Sequence, residues 1–310
     1  MNERAVIVTG AAGGVGMDTS ATLARRGYCV YAGAIDDWEM QELQNLKQLP
    51  GVERLVPVML DMRKHEQIAA VVSQIERDNR KLVGLVLNGA ASPAGVPVVH
   101  TPVALLRDTF EANVIGAFAA VQHCFKQLDA NRGTIVFVSS ATSLAPPPLV
   151  LPYVSTKCAI NAMAHSMRRE FRNSDIRVSL LIPTIIKRTY MAHGLFEATK
   201  RRLADIRGCK PIDVHPATYD PGKNTALLQA EGAADPFYEG MYQGQLQTIA
   251  YGLETGIEPS VVTRDIIDAL EARSPRLVYY EGIGSRAFRL LAWLLPISWL
   301  DRLLAKIGYR

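Results

Sequence analysis

The chain has 310 residues, 48% of them hydrophobic and 21% charged, with a formal net charge of +4. That apolar content is enough for a substantial core and excludes gross disorder. The charge is mild and forms no clustered basic stripe, which excludes a nucleic-acid-binding surface. Four cysteines (Cys29, Cys124, Cys158, Cys209) follow no metal or redox spacing and read as reduced thiols of a cytosolic protein.

No basic segment with a long apolar run and cleavage site precedes the first strand, and no apolar run reaches the ~20 residues that cross a bilayer. The expectation is a cytoplasmic protein. In chain order, short runs rich in Val, Ile and Leu fall at 5–9, 28–33, 55–60, 82–88, 134–139, 176–182 and 276–280. Helical segments lie between them near 14–26, 38–48, 64–79, 101–129, 153–172 and 262–273. Consecutive apolar positions suit strands buried on both faces. Strand–helix alternation predicts an α/β fold: a doubly wound, Rossmann-like parallel sheet of about seven strands, in one domain spanning 1–310. Thr101-Pro102 predicts a helix start with the threonine as N-cap. The segment 189–258 breaks the alternation with Gly, Pro and aromatics, and is expected to be a substrate lid.

The first strand ends in Thr9-Gly10-Ala11-Ala12-Gly13-Gly14-Val15-Gly16, and a helix follows. Glycines permit a sharp turn and let backbone amides approach a phosphate, and the helix N-terminus favours its charge. The spacing fits two nucleotide-binding patterns, Gly10/Gly14/Gly16 and Gly10/Gly13/Gly16. Further on, Tyr153 and Lys157 stand four apart, on one helical face. A neighbouring ammonium is expected to draw a phenol down from ~10 towards a useful acid/base range. Ser140 lies thirteen positions before the tyrosine.

These residues resemble the short-chain dehydrogenase/reductase family. Thr9 to Gly16 resembles the Thr-Gly-x-x-x-Gly-x-Gly turn of its shorter branch. Asn88-Gly89-Ala90-Ala91 resembles its Asn-Asn-Ala-Gly turn, departing at Gly89 and Ala91. Asp61, followed by Met62, matches its adenine-side aspartate, and Asn113 its helix asparagine. The resemblance implies a catalytic tetrad. In it Tyr153 is general acid/base, Lys157 tunes it and holds the nicotinamide ribose, Ser140 binds the substrate oxygen, and Asn113 anchors a proton relay. It also implies cofactor contacts from Gly10, Gly14, Val15, Gly16, Asp61, Met62, Asn88, Gly89, Ala90, Pro183 and Ile186. At Pro183-Thr184 the family has Pro-Gly, and Thr189 sits one residue late for the carboxamide contact. Subunits pairing through helices near 101–129 and 153–172, as a homodimer or tetramer, are also implied.

After the second strand the chain reads Ala32-Gly33-Ala34-Ile35-Asp36-Asp37, with no Arg or Lys at 33–37. An acid here bonds ribose hydroxyls and repels a 2′-phosphate, which favours NAD over NADP. The usual acidic position lines up with Ala34, so Asp36 must reach back; otherwise Asp36 and Asp37 simply cap the next helix.

Residues 144–152, Leu-Ala-Pro-Pro-Pro-Leu-Val-Leu-Pro, lie between Ser140 and Tyr153 and suit an apolar wall. Leu149 and Leu151 are read as substrate contacts. Met191, Phe196, Phe237, Tyr238, Met241 and Tyr242 come from the lid, and His193 is placed at a distant polar end of the substrate. The tail 285–310 mixes leucines and tryptophans with Arg286, Arg289, Arg302, Lys306 and Arg310. It suits a membrane interface, packing over the site, or a second subunit. With the second strand it resembles the hydroxysteroid and retinol dehydrogenase branch. The expected activity is NAD(H)-dependent hydride transfer on a lipophilic alcohol or ketone, first a hydroxysteroid, then a retinol-like alcohol. One alternative is 3-ketoacyl thioester reduction, which needs a basic patch at the site mouth; Arg168, Arg169 and Arg172 form the nearby cluster. Another is a dinucleotide-sensing scaffold without turnover.

Overall fold

A computed structural model describes residues 3–91, 95–187, 199–207 and 235–308. The expected lid residues Met191, His193 and Phe196, together with Thr189, lie outside the described residues.

Seven strands form one sheet: β1 (Arg4–Val8), β2 (Cys29–Ala34), β3 (Leu55–Met59), β4 (Lys81–Leu87), β5 (Thr134–Val138), β6 (Arg177–Pro183) and β7 (Val278–Glu281). Their order is β3-β2-β1-β4-β5-β6-β7, and every pairing is parallel. The period-2 geometry of a strand sends alternate side chains to opposite faces. Ala5 and Ile7 of β1 join one core cluster, Val6 and Val8 the other. Both faces are therefore covered, which is why the strands read as unbroken apolar runs. The first cluster packs against α3 (His65–Arg77), α5 (Gly116–Ala130) and α6 (Leu151–Glu170). The second packs against α1 (Gly14–Arg25), α2 (Asp37–Lys47) and α8 (Pro259–Glu271). Each fully buried Val, Leu or Ile stabilises the fold by roughly 1.5–3 kcal/mol of apolar transfer.

Three local features differ from the expectations. The segment 101–129 is broken into α4 (Val103–Phe110), a π-turn (Glu111–Ile115) and α5. Gly116 opens α5 against Met62, where an added Cβ would come within 2.7 Å of the methionine Cβ. Thr101 does not cap α4: its hydroxyl donates backward to the Pro97 carbonyl at 2.9 Å, and Pro102 holds the N-cap position. The described parts of 189–258 are helical, at 199–206 and in α7 (Glu239–Thr255). The tail forms α9 (Gly282–Leu294) and α10 (Ile297–Gly308).

Candidate active site

The strand order reverses between β1 and β4, and at such a switch point the loops beyond the strands diverge to leave a crevice. The two loops here are latched together. Gly10 adopts φ +58°, and a Cβ on it would sit 2.5 Å from the Gly89 Cα. The close approach requires glycine at position 10; at Gly89 a Cβ would lie 3.0 Å from the Gly10 nitrogen, a tight fit that the neighbouring loop would have to ease. Asn88 Nδ2 donates to the carbonyls of Thr9 and Gly10 at 3.3 and 3.1 Å. In return the Thr9 hydroxyl accepts from the backbone amides of Asn88 and Gly89 at 3.1 and 3.0 Å. Gly16 lies over the same turn, where its Cβ would approach the Ala11 Cα to 2.7 Å.

The N-terminus of α1 fits a pyrophosphate. Gly13, its N-cap, offers no side-chain cap, and no acidic residue occupies the first turn. The first amides of the helix, from Gly14, Val15 and Gly16, are the groups that a helix leaves without intrahelical partners.

Around the crevice, the other strand ends carry the expected residues. Asp61 follows β3 and is bonded by Arg63 through Nε at 2.9 Å and Nη2 at 2.8 Å. Burial alone would raise its carboxyl, but the Arg63 hydrogen bonds outweigh that and hold it below the usual range. The Met62 side chain turns into the core beside Ile68 and Ala117. Asp36 is the N-cap of α2: its Oδ1 accepts from the Glu39 amide at 2.8 Å, while Glu39 Oε2 accepts from the Ile35 amide at 2.9 Å. This reciprocal arrangement is a variant of the capping box, so the capping role is present in the structure. Beyond β6, the Thr184 amide donates to the Glu281 carbonyl at 3.1 Å, and Ile186 bridges Ile257.

Ser140, at the end of β5, meets Tyr153 on the first turns of α6. Two hydrogen bonds from Thr142, from its amide at 3.2 Å and its hydroxyl at 2.9 Å, fill the acceptor side of Ser140 Oγ. The serine proton is thereby directed outward, to the phenol oxygen with which it is hydrogen-bonded. Lys157 Nζ lies 5.5 Å from the Tyr153 ring centroid and donates to the Val138 carbonyl at 2.7 Å. Both side chains are buried. Burial pushes the phenol up to about 12, against the opposing Ser140 bond, and pulls the ammonium down to about 8. The expected lowering of the phenol by Lys157 is therefore not what the protein alone produces: desolvation raises it, only the Ser140 bond opposes that, and the ammonium is directed at a backbone carbonyl.

Asn113 sits in the π-turn, a distortion that recurs at functional sites. Its Oδ1 accepts from the Ala91 amide at 2.7 Å, and its Nδ2 donates to the Ala91 carbonyl at 2.8 Å and to Thr156 Oγ1 at 3.1 Å. It ties the β4 loop to α6, one residue before Lys157. Thr142 and Thr156, which position Ser140 and Asn113, are not singled out by the sequence motifs, and Thr9, which positions Asn88, enters only as the first residue of the glycine turn. Their signal is adjacency: each stands beside or within two residues of a motif residue and carries a hydroxyl.

The apolar wall takes shape at Leu149, which is buried with Leu203 and Tyr242, while Tyr238 and Met241 pack against it. Leu149 holds φ +67°, a left-handed conformation uncommon for a non-glycine residue and costing on the order of 1–3 kcal/mol. Its carbonyl accepts from the Val96 amide at 2.8 Å. Leu151 is exposed at the start of α6, and Tyr238 lies edge-on to His100 with ring centroids 6.0 Å apart.

The chain matches the short chain dehydrogenase family over residues 4–200. It is 29% identical to estradiol 17-beta-dehydrogenase 2 of Rattus norvegicus, covering 98% of this chain and 74% of that protein. With short-chain dehydrogenase PC-15 of Penicillium crustosum it is 28% identical, covering 57% of this chain and 64% of that protein; it spans just under two thirds of that relative's length. Its fold matches, with a TM-score of 0.67, a short chain dehydrogenase/reductase from Burkholderia phymatum in complex with NAD, at 17% identity over 94% of this chain and 92% of that one. It matches a short chain dehydrogenase from Burkholderia cenocepacia in complex with NADP equally well, with a TM-score of 0.67 at 20% identity over 98% of both chains. With the glycine turn, the strand-end loops and the Ser140–Tyr153–Lys157 group set on this sheet, the chain belongs to the short-chain dehydrogenase family.

Proposed function

We propose that the protein is an NAD(H)-dependent oxidoreductase acting on a lipophilic secondary alcohol or its ketone, with a hydroxysteroid as the leading candidate and a retinol-like alcohol next. The observation that supports this reading is the grouping of Ser140, Tyr153 and Lys157, with the buried apolar cluster at Leu149 on the segment that joins Ser140 to Tyr153. A bound nicotinamide would supply or take the hydride. The glycine turn and the α1 N-terminus would hold the pyrophosphate, and Lys157 the ribose. Tyr153 O–H passes its proton to the substrate oxygen in reduction and regains one in oxidation. Ser140, with its acceptor side filled by Thr142, donates to the same oxygen as charge develops on it. Asn113 fixes the β4 loop and α6 relative to each other, so these groups meet at a constant spacing. Leu149, Tyr238 and Tyr242 exclude water from one side. Hydroxysteroid relatives along nearly the whole chain support the substrate class.

The carrier-linked 3-ketoacyl alternative is weakened by geometry. Arg168, Arg169 and Arg172 belong to the far end of α6 and the turn beyond it, fifteen or more residues from Tyr153. At 1.5 Å per residue this is roughly 20 Å along the helix, so the basic cluster does not stand at the site mouth. The reading is tested with steroids, retinol and 3-ketoacyl esters, each with NAD and NADP, followed at the nicotinamide absorbance. Turnover of hydroxysteroids with NAD is expected; turnover of the thioester alone would replace the substrate assignment.

The NAD preference rests on the acidic second-strand end. Asp36→Arg is expected to move the preference towards NADP, because it removes a charge that repels a 2′-phosphate and adds one that attracts it. Asp36→Asn keeps an N-cap of equal quality and separates charge from capping: it should leave the melting temperature unchanged and still relax the discrimination. An unaltered cofactor ratio in both variants removes Asp36 from the cofactor site.

A further inference from the structure

The tail helices present their apolar residues outward. In α9, Ile283, Ala287, Leu290 and Leu294 recur at helical spacing and share one face. On a helix packed only by its own protein such a stripe turns inward. Here Ile283 is 88% exposed, Leu290 55% and Leu294 57%, with Trp293 beside them at 80%. In α10, Ile297 and Trp299 are exposed at 73% and 61%, while Leu300 is buried and anchors the helix. Ser285 forms the inward side of α9.

Charge selects the occupant of this face. Residues 282–310 contain five bases (Arg286, Arg289, Arg302, Lys306, Arg310) and one acid, Asp301, a net charge of +4. Removing them from the chain's 34 bases and 30 acids leaves 29 of each, so the tail holds the whole net charge of the protein. Arg286 and Arg289 flank the apolar stripe, the former donating to the Tyr280 carbonyl at 3.2 Å and the latter lying 4.6 Å from the Tyr280 ring centroid. A second copy pairing through this face would bring like charges together. Among the described residues no helix is long and apolar enough to cross a membrane, so contact with lipid must lie in the interface plane. Exposed tryptophans, an apolar stripe and flanking arginines are the composition of such a contact.

We propose that α9 and α10 dock the protein on the surface of an anionic phospholipid bilayer, with Leu290, Trp293 and Trp299 inserted at the headgroup level and the arginines on the lipid phosphates. The helix α10 packs against α7, which carries Tyr242 of the cluster covering Leu149. Docking would therefore set the bilayer close to the element that carries Tyr242, and docking itself does not depend on what the substrate is.

The test is flotation of the full chain with vesicles of phosphatidylcholine alone and of phosphatidylcholine mixed with phosphatidylserine. Binding is expected to the anionic vesicles and to weaken with salt, each basic residue near the surface contributing on the order of fivefold in affinity. Leu290→Asp with Trp293→Asp, both at exposed positions, should lower that binding at least about tenfold while leaving the melting temperature and sedimentation unchanged. Failure of the native chain to float with anionic vesicles would overturn the proposal, as would equal flotation of the variant. So would dissociation of an oligomer by the same substitutions, which would make this face a subunit interface.

Discussion

Tyr153→Phe is expected to lower turnover at least ~10²-fold while leaving cofactor affinity and the melting temperature close to native, 10² being the lower range for a positioned acid/base. The substitution removes one oxygen from a ring that is buried and stays buried. The ring packing and the Lys157–Val138 bond survive it. What is lost is the proton that meets the substrate oxygen and the partner of Ser140, a neutral hydrogen bond worth about 1 kcal/mol to stability. The protein alone holds the phenol at about 12 and the lysine at about 8. Near neutral pH the resting site is therefore a neutral phenol beside an ammonium, the form that under the proposed function donates a proton to a ketone. Oxidation needs the phenolate, so the native alcohol-oxidation rate should climb with pH where the reduction rate does not. Stopped-flow absorbance of the nicotinamide in both directions, with cofactor binding measured separately, checks this. Near-normal turnover in the variant would remove Tyr153 from the chemistry.

The sheet was legible because strands covered on both faces leave no polar face to interrupt their apolar runs. All seven were read within two residues of their observed ends. The grouping of the candidate catalytic residues was legible for another reason: α6 fixes Tyr153 and Lys157 four apart, and Ser140 follows the end of β5. Where reading failed, the determinant lay between distant segments. The helix α7 was hidden by its glycines, Gly240, Gly244 and Gly252, which lower helix propensity; Gly252 is there because a Cβ would strike Ile185 of the β6 loop. The π-turn at Asn113 has no local sequence mark, since Asn113 is held by Ala91 and Thr156, residues 22 and 43 positions away. Thr101-Pro102 looked like a cap, but the threonine hydroxyl closes the preceding 3-10 turn instead. The phenol's environment was misjudged because burial cannot be read from a four-residue spacing, and here burial is the larger influence.

Glu281→Gln should remove a fall in stability that the native protein shows between mildly acidic and mildly alkaline pH. Glu281 ends β7 in register with Pro183 and is 2% exposed, and both carboxyl oxygens are buried without a hydrogen-bond partner among the described residues. Burial, reinforced by Asp265, pushes its carboxyl up to about 8 against the opposing Arg264 and Arg286. The folded chain therefore prefers the neutral acid. Its contribution to stability is complete below the unfolded value of 4.5 and is lost as pH rises through about 8, at no more than ~1.4 kcal/mol per pH unit. Lys157 acts in a different window and with the opposite sign. Its folded value of about 8 lies below the ordinary 10.5, so it adds stability only as pH climbs above 8. Chemical denaturation at intervals from about pH 5 to about pH 9 separates the two, because the unfolding slope with pH counts the protons each state binds. The native curve should descend to about 8 and then level or turn upward, whereas the Gln variant should stay flat below 8 and exceed the native protein above it. The backbone carbonyl of Glu281 accepts from the Thr184 amide at 3.1 Å, so the residue is tied directly to the loop after β6. Ionisation should therefore loosen the 183–187 loop first, seen as faster amide exchange there than in β1. Parallel curves for the two proteins would mean that Glu281 is ionised and solvated in the fold.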